Sequence, residues 1–483
     1  MILLTQAIAM NELLSCRLRI SNPPAYWLIV LGALIGAGLR PTCVRADEVP
    51  WKAGTAVAVI TPAEPMWMAG YAARNKPAEG KVQDLFAKAL ALEDAAGTRL
   101  VVVTTDLIGI PRDLRDAVVE QSAKRFTLPS QALLLNASHT HCGPELRADK
   151  GAIYGLDAAR IEQTEAYWDR LVEQLVALVG EALDNLAPAR LRYTHGRAGF
   201  AMNRRLPTDE GIENAPYPDG PVDHDVPVLR VETPEGALRA VLFGYACHNT
   251  TLSFYQICGD YAGYAQEYLE ANHPGVTALF LAGCGGDQNP QPRGTLELAG
   301  QHGRALANGV EAALLWKRPR EVHGPLRVTL DEVTLDFLPP PAREELLAQS
   351  GAENQYERRH AEVLLDELNR KGRIRSTYPY PVQVVRFADD LTLVALAGEV
   401  VVDYSLRLKR ELAGPAVWIA GYSNDVFGYV PSLRVLTEGG YEGGGAMRYT
   451  TLPGPFAPSV EERIVAKVHE LVARTSSPES AAE

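Results

Sequence analysis

The stretch Leu133–Arg147 reads LLLNASHTHCGPELR, and the architecture is decided there. An apolar run that gives way to small and polar residues predicts a buried strand emptying into a loop, and open α/β sheets build their sites on such strand exits. Two histidines, His139 and His141, stand at this exit. Side chains two apart on extended backbone point the same way, so one imidazole can ligate a metal while the other acts as a hydrogen-bonding acid or base. By itself an H-x-H pair fits surface or core histidine equally well.

Outward from this stretch, one succession occurs three times: two strands joined by a turn, a helix, and a third strand running into a polar loop. The first copy comprises strands Lys88–Glu93 and Leu100–Thr104, helix Pro111–Lys124 and strand Ala132–Asn136. The second comprises Val228–Glu232, Leu238–Tyr245, helix Gly263–Asn272 and Thr277–Leu281, and the third Val384–Phe387, Leu391–Leu396, helix Val400–Leu412 and Ala416–Ala420. The fold class expected is α/β, mixed sheets flanked by helices, with possible repeated ββαβ units. Asp106, His248 and Glu399 fall at the exits of the second strands, and His139, Asp287 and Asn424 at the exits of the third. Long helices are expected at Glu162–Asn185, Leu296–Leu315, Ala342–Lys371 and Val460–Ala473. Phe200–Asp225 and Thr437–Pro458 read as lid or rim loops.

The 483-residue chain is 47% hydrophobic, enough to bury a large core. Residues 1–46 read as an export signal: Arg17 and Arg19, the apolar run Ala25–Leu39, then Val44-Arg45-Ala46 ahead of Asp47-Glu48. The run is shorter than the roughly 20 residues of a membrane span. Cleavage near Ala46 is expected to release a periplasmic or extracellular protein with no stable transmembrane anchor, a catalytic domain over 47–473 and a disordered tail over 474–483. The segment 1–46 carries four arginines and Glu12, a net +3, so the remainder carries −12 − 3 = −15. That charge argues against nucleic acid and leaves no polybasic patch for anionic lipid. Beyond Cys16 and Cys43 of the signal, Cys142, Cys247, Cys258 and Cys284 read as small buried filler. Cys142 and Cys247, beside histidines, could also be thiolate ligands.

His139, His248 and Glu399 supply two imidazoles and a carboxylate, a donor set suited to Zn2+ with a place left for water or substrate. Bound zinc lowers the pKa of water from about 15.7 to about 7 and polarises a carbonyl, so hydrolysis of an amide or ester follows. Each candidate has a plainer reading. His248 fits a buried histidine donating to a backbone carbonyl, Glu399 a residue favoured by the helix dipole, and Asp287 a turn carboxylate. Tyr422 and Tyr429 fit packing residues with a wet hydroxyl. Asn203-Arg204-Arg205 fits a solvated charge cluster or an anion and carbonyl clamp. His195, His224, His273, His302, His323, His360 and His469 receive no role.

The motifs SHTHCGP (138–144), AMNRR (201–205), GYACHNTT (244–251), GDYAGYA (259–265), GGDQNP (285–290), AGE (397–399) and SNDVFGYVPS (423–432), in this order, make the chain resemble the neutral/alkaline non-lysosomal ceramidase family, specifically its N-terminal catalytic domain. The resemblance covers most of residues 50–473. It implies His139, His248 and Glu399 as zinc ligands with Tyr429 as a phenolic fourth, His141 near the reacting carbonyl, and Arg204 in contact with substrate. It implies cleavage of an N-acyl amide in a small-molecule or lipid substrate, as in sphingolipid metabolism. His141 and Asp287 are then expected to assist proton transfer or orientation, and Arg204, Asn203 and Gln288 to bind substrate. Two departures stand out. Where the family's ceramidases carry Gly-Asp-Val-Ser-Pro with a nucleophilic serine, this chain has Gly286-Asp287-Gln288-Asn289-Pro290, and an amide cannot attack a carbonyl. Asn289 or Gln288 can instead donate to an oxyanion. The family's C-terminal immunoglobulin-like domain has no counterpart before the sequence ends. The alternatives are a zinc hydrolase of another acylated amine or ester, and a non-catalytic lipid- or carbohydrate-binding relative.

Overall fold

Alternation within single strands explains how the sheets are covered. In strand Phe86–Asp94 the small residues Ala87, Ala89 and Ala91 face the helix layer, while Leu90 and Leu92 face a central core. The computed structural model describes residues 51–412 and 414–476. The export signal expected over 1–46, with Cys16 and Cys43, and residues 477–483 of the expected tail lie outside the described residues.

The larger sheet has nine strands. Its main path runs Thr277–Ala282, Leu238–Tyr245, Asp225–Glu232, Ala187–Arg197, Trp51–Val59, Phe86–Asp94, Arg99–Thr105 and Leu133–Ala137, and Arg320–Val322 pairs with Ala187–Arg197. A four-stranded sheet is built from Leu326–Asp336, Thr377–Phe387, Leu391–Leu396 and Val417–Ala420. Trp51, Leu134, Leu242, Leu281, Leu393 and Trp418 meet in one core, so leucines and tryptophans from both sheets share it. Helices Arg112–Phe126 and Ala158–Asp184 cover one end of the large sheet, and Asp260–Asn272 and Leu296–Leu314 the other. Val402–Glu411 and Val460–Ser476 cover the smaller sheet. The fold is α/β, with mixed sheets flanked by helices.

Three times an antiparallel pair is followed, across a helix, by a parallel partner. The sets are Phe86–Asp94 with Arg99–Thr105 and Leu133–Ala137, Asp225–Glu232 with Leu238–Tyr245 and Thr277–Ala282, and Thr377–Phe387 with Leu391–Leu396 and Val417–Ala420. Two sets lie at opposite ends of the large sheet and the third in the separate sheet. Nothing further marks them as copies of one unit.

Other expectations shift locally. The helix expected over Ala342–Lys371 is two, Arg343–Gln349 and Gln355–Lys371, because Asn354 caps the second through the backbone N–H groups of Tyr356 and Glu357. Phe200–Asp225, expected as a loop, contains the hairpin Ala201–Thr208 and Gly211–Tyr217, to which Gln288–Pro290 adds a third strand. The last helix continues to Ser476, past the boundary expected at Ala473. Among the described residues no helix is long and apolar enough to cross a membrane.

The strand ends converge through one side chain. Asn136, fully buried, donates from Nδ2 to the Gly421 carbonyl at 2.8 Å and to Ser423 Oγ at 3.0 Å, and its Oδ1 accepts from the Ala282 N–H at 2.9 Å. It therefore joins one end strand of the nine-stranded sheet to the other and to the four-stranded sheet. Asn136→Ala removes the side-chain acceptor of the Ala282 N–H and leaves the Gly421 carbonyl only its bond from Ser423 Oγ, and it is expected to lower stability by about 1–3 kcal/mol, read from the urea midpoint at unchanged slope.

Candidate functional site

Beyond Leu133–Ala137 the chain turns through His139 at φ +61°, a left-handed conformation uncommon for a residue with a side chain. His139 Nδ1 lies 2.5 Å from the Ile108 carbonyl oxygen. A carbonyl only accepts, so the proton sits on Nδ1 and Nε2 keeps its lone pair. His248, just past strand Leu238–Tyr245, is fixed in the same way, with Nδ1 2.7 Å from the Gly285 carbonyl. Glu399 follows strand Leu391–Leu396 and lies in parallel register with Tyr429.

These exits bring four donor atoms together. His139 Nε2 and His248 Nε2 each lie 3.2 Å from Glu399 Oε2, and Tyr429 Oη lies 3.1 Å from His248 Nε2. A tetrahedral zinc with bonds of about 2.0–2.1 Å keeps its ligand atoms roughly 3.3 Å apart. These three separations match that spacing, and the four donors suit the ion in chemical type. His141 Nε2 is 3.1 Å from His139 Nε2, and His139, His141 and His248 also form a three-imidazole group capable of holding a metal. His139 and His248 belong to both sets.

The electrostatics favour metal-ready protonation states. Burial, followed by the nearby Arg204 guanidinium, pushes His248 down to about 4. Burial and the neighbouring His139 and His248 hold His141 well below the usual imidazole range. Burial works to raise the Glu399 carboxyl, but the His139 and His248 imidazoles outweigh it and hold it well below the usual carboxylate range. Neutral imidazoles and an ionised carboxylate are the forms that ligate.

Arg204 lies behind these donors. It donates from Nη2 to Tyr429 Oη and to the Gly286 carbonyl, both at 2.9 Å, from Nη1 to Asn289 Oδ1 at 3.2 Å, and from Nε to Glu442 Oε1 at 2.7 Å. The second carboxylate oxygen of Glu442 accepts from Arg205 Nη1 at 2.7 Å. Both arginines and Glu442 are buried; the two guanidinium groups share the Glu442 carboxylate, and Arg205 also pairs with Glu438 Oε2 at 3.1 Å. The loop carrying Asn289 packs closely enough that a Cβ on Gly286 would meet the Glu399 carbonyl oxygen at 2.6 Å.

Several expected site residues are otherwise engaged. Asp287 accepts from the Val402 N–H at 2.8 Å and from Asn203 Nδ2 at 3.1 Å, and burial raises its carboxyl to about 6. Asn203 also donates to the Pro221 carbonyl and accepts from the Arg205 N–H. Gln288 spends its amide on the Asp223 N–H and on the Ala246 and Cys284 carbonyls. Asn203 and Gln288, expected to bind substrate, and Asp287, expected to assist proton transfer or orientation, tie loops together here. Neither Arg204 nor Asn289 borders the pocket over the donors. Asn289 Oδ1 accepts from Arg204 and Thr250, while its Nδ2 donates to no described protein group. Asp106 and Asn424, at the other strand exits, are likewise buried and bonded within the scaffold. Cys142, Cys247, Cys258 and Cys284 are free and buried, and burial raises all four thiols, which suits filler.

Sequence reading missed much of the pocket. Arg147, Lys150, Tyr154, Tyr441 and Tyr449 line it beside His139, His141 and Glu399. Glu442 also escaped notice. The signal was available in two forms: two cations directly downstream of the H-x-H loop, and aromatics in the glycine-rich segment 437–458. A Cβ on Gly70, at φ +96°, would come within 2.3 Å of His141 Nδ1, so that glycine admits the His141 ring.

Comparison with known proteins agrees with this architecture. The chain is 28% identical over 277 residues to neutral ceramidase of Pseudomonas aeruginosa, covering 55% of this chain and 40% of that protein. It is also 28% identical over 268 residues to neutral ceramidase A of Dictyostelium discoideum, covering 52% and 37%. The matched segment thus spans about two fifths of these relatives' own length. The crystal structure of the Pseudomonas aeruginosa neutral ceramidase superposes with a TM-score of 0.69 at 23% identity, covering 89% of this chain and 74% of that one, which is a likeness of fold. The family described as neutral/alkaline non-lysosomal ceramidase, N-terminal, matches residues 51–296, half of the chain. With motifs, fold and family match in agreement, the chain belongs to the neutral/alkaline non-lysosomal ceramidase family.

Proposed function

We propose that this protein is an exported, zinc-dependent hydrolase that cleaves the amide bond of an N-acylated amine, with ceramide as the reference substrate suggested by its relatives' names. The observation that carries the reading is the convergence of His139 Nε2, His248 Nε2, Glu399 Oε2 and Tyr429 Oη, with both imidazoles locked as acceptors by carbonyl partners. Zinc held there would supply Lewis acidity at the amide carbonyl and an acidified water. His141 borders the pocket with a buried Nδ1 that has no partner, which suits it to take a proton or pass one to the leaving nitrogen. Arg204 orients Tyr429 and screens the cluster of acceptors. Asn289 cannot serve as a nucleophile and acts here as a positioning residue, holding Arg204 through Oδ1. Asp287 positions the same loop against Val402. Loss of the family serine speaks for a non-catalytic relative, but retention of four suitably spaced donors beside an open pocket speaks for turnover.

The test is hydrolysis of a fluorescent short-chain ceramide, and of other N-acyl amines, by the full chain with and without zinc. Zinc-dependent release of amine supports the reading, and the absence of turnover on every N-acyl amine from protein holding one zinc overturns it. Glu399→Ala and His248→Ala are each expected to lose bound zinc in elemental analysis and at least about a thousandfold in kcat/KM, the several kcal/mol that a metal centre supplies. Metal retention and full turnover in His248→Ala would remove that residue from the ligand set. Asn289→Ser keeps an oxygen in place and is expected to hold kcat/KM within about tenfold. Glu442→Ala leaves two buried guanidinium groups without their shared carboxylate. The expected loss is about 3–5 kcal/mol of stability, visible as a lower urea midpoint.

A further inference from the structure

The pocket over the metal donors has an unusual wall for a lipid enzyme. Its aliphatic lining is confined to Ile108, Ala72 and Ala446, whereas Tyr154, Tyr441 and Tyr449 contribute phenols whose hydroxyls bond no described protein group. A channel for a long acyl chain needs contiguous apolar side chains, and this wall lacks them. The polar end of a substrate fits it better.

Two cations border the pocket, and they differ in kind. Arg147 is neutralised by the fully buried Glu145, with Nε to Oε1 at 2.6 Å and Nη2 to Oε2 at 2.7 Å. Lys150 ends the short turn Ala148–Lys150, is half-buried, and its ammonium makes no hydrogen bond or ion pair among the described residues. Of the carboxylates near it, Glu145 is taken by Arg147, Glu399 is held by His139 and His248, and the neighbouring Asp149 is exposed to water and accepts from Thr451 Oγ1 at 3.3 Å. Burial, with the nearby Arg147, pushes the Lys150 ammonium down to about 8, which leaves it mainly charged at neutral pH. A charge removed from water without a partner is costly, and a bound anion offsets that cost.

We propose that the substrate is an N-acylated amine bearing a carboxylate close to the scissile amide, as in an N-acyl amino acid, and that Lys150 is the counter-charge that selects it. The proposal rests on the reading of this site as an amide hydrolase and names its substrate class. The carboxylate lies among Lys150, Tyr154 and Tyr441, the amide reaches His141 and the metal donors, and the acyl chain leaves the narrow pocket. A neutral sphingoid headgroup would leave the Lys150 charge uncompensated.

Binding and turnover are measured separately so that the two readings can fail independently. The binding probes are N-dodecylsulfonylglycine, whose sulfonamide resists hydrolysis, and its methyl ester, titrated into the zinc-supplemented full chain. The acid is expected to bind at least about tenfold tighter than the ester. Lys150→Met and Lys150→Gln should bring that ratio close to one, Lys150→Arg should restore part of it, and the exposed control Lys124→Met should leave it unchanged. Equal binding of acid and ester to the unsubstituted chain overturns the proposal, and so does an acid preference that survives both Lys150→Met and Lys150→Gln. Hydrolysis of N-dodecanoylglycine is followed beside that of the short-chain ceramide. Preference for the glycine conjugate, lost with Lys150, supports the proposal. Ceramide turnover with no acid preference overturns it and leaves the hydrolase reading intact. Lys150-dependent acid binding with no turnover of any amide supports the anion pocket and overturns the hydrolase reading.

Discussion

A single buried amide holds this protein's site in register. Asn136 sits near the end of an edge strand and spends its three hydrogen bonds on Ala282, at the end of a second strand, and on Gly421 and Ser423, in the loop just after a third. The two edges of the large sheet and one edge of the smaller sheet are thereby fixed to one another within hydrogen-bond tolerance. His139 leaves from the first of these ends, the loop of Asp287 and Asn289 from the second, and the loop leading to Tyr429 from the third. Metal ligation tolerates errors of only a few tenths of an ångström. Donors supplied by separate sheets can meet that tolerance only if the sheets themselves are locked, and buried, fully satisfied polar junctions are rigid in the way this requires.

Behind the donors a second layer of charge does the corresponding electrostatic work. Arg204 touches Tyr429, Asn289, Gly286 and Glu442, so a guanidinium with fixed fork geometry links the phenol, the loop and the segment 437–458. Its charge, with burial, keeps His248 free of a proton, and Glu442, with Glu438 on Arg205, compensates the two guanidinium charges. Three buried charged groups in one network are stable only together, which explains why the AMNRR strand and a glycine-rich segment more than two hundred residues later act as one unit.

The same layer accounts for the altered loop. A serine nucleophile must reach the reacting carbonyl, whereas the Asn289 oxygen accepts from Arg204 and Asn289 is not among the residues lining the pocket. The loop is held in place through Asp287, Gln288 and Gly286, all bonded to backbone. The pocket itself is rich in phenols and is bordered by Lys150, whose ammonium makes no hydrogen bond or ion pair among the described residues.

Local periodicity carried a large share of the fold. Strands such as Leu238–Tyr245 and Leu391–Leu396 were legible to the residue, because alternating or continuous apolar runs bounded by turn residues leave few other options. The strand-exit rule also drew attention to His139, His248 and Glu399, since a side chain just past a buried strand is the one both positioned and free. The break at Asn354 and the hairpin at 201–217 were less visible, because a capping asparagine and a polar hairpin look locally like any other polar residues. Sequence by itself determined the strands, the helices, the family and the chemical types at the exits. Only the tertiary structure decided which exits meet. Asp106, Asp287 and Asn424 occupy positions equivalent to those of the three donors, yet burial and backbone partners commit them to the scaffold. Tyr441 and Glu442 join the site because a segment some three hundred residues from His139 is packed beside it. Meeting in space depends on contacts between residues hundreds of positions apart, and no local pattern records those contacts.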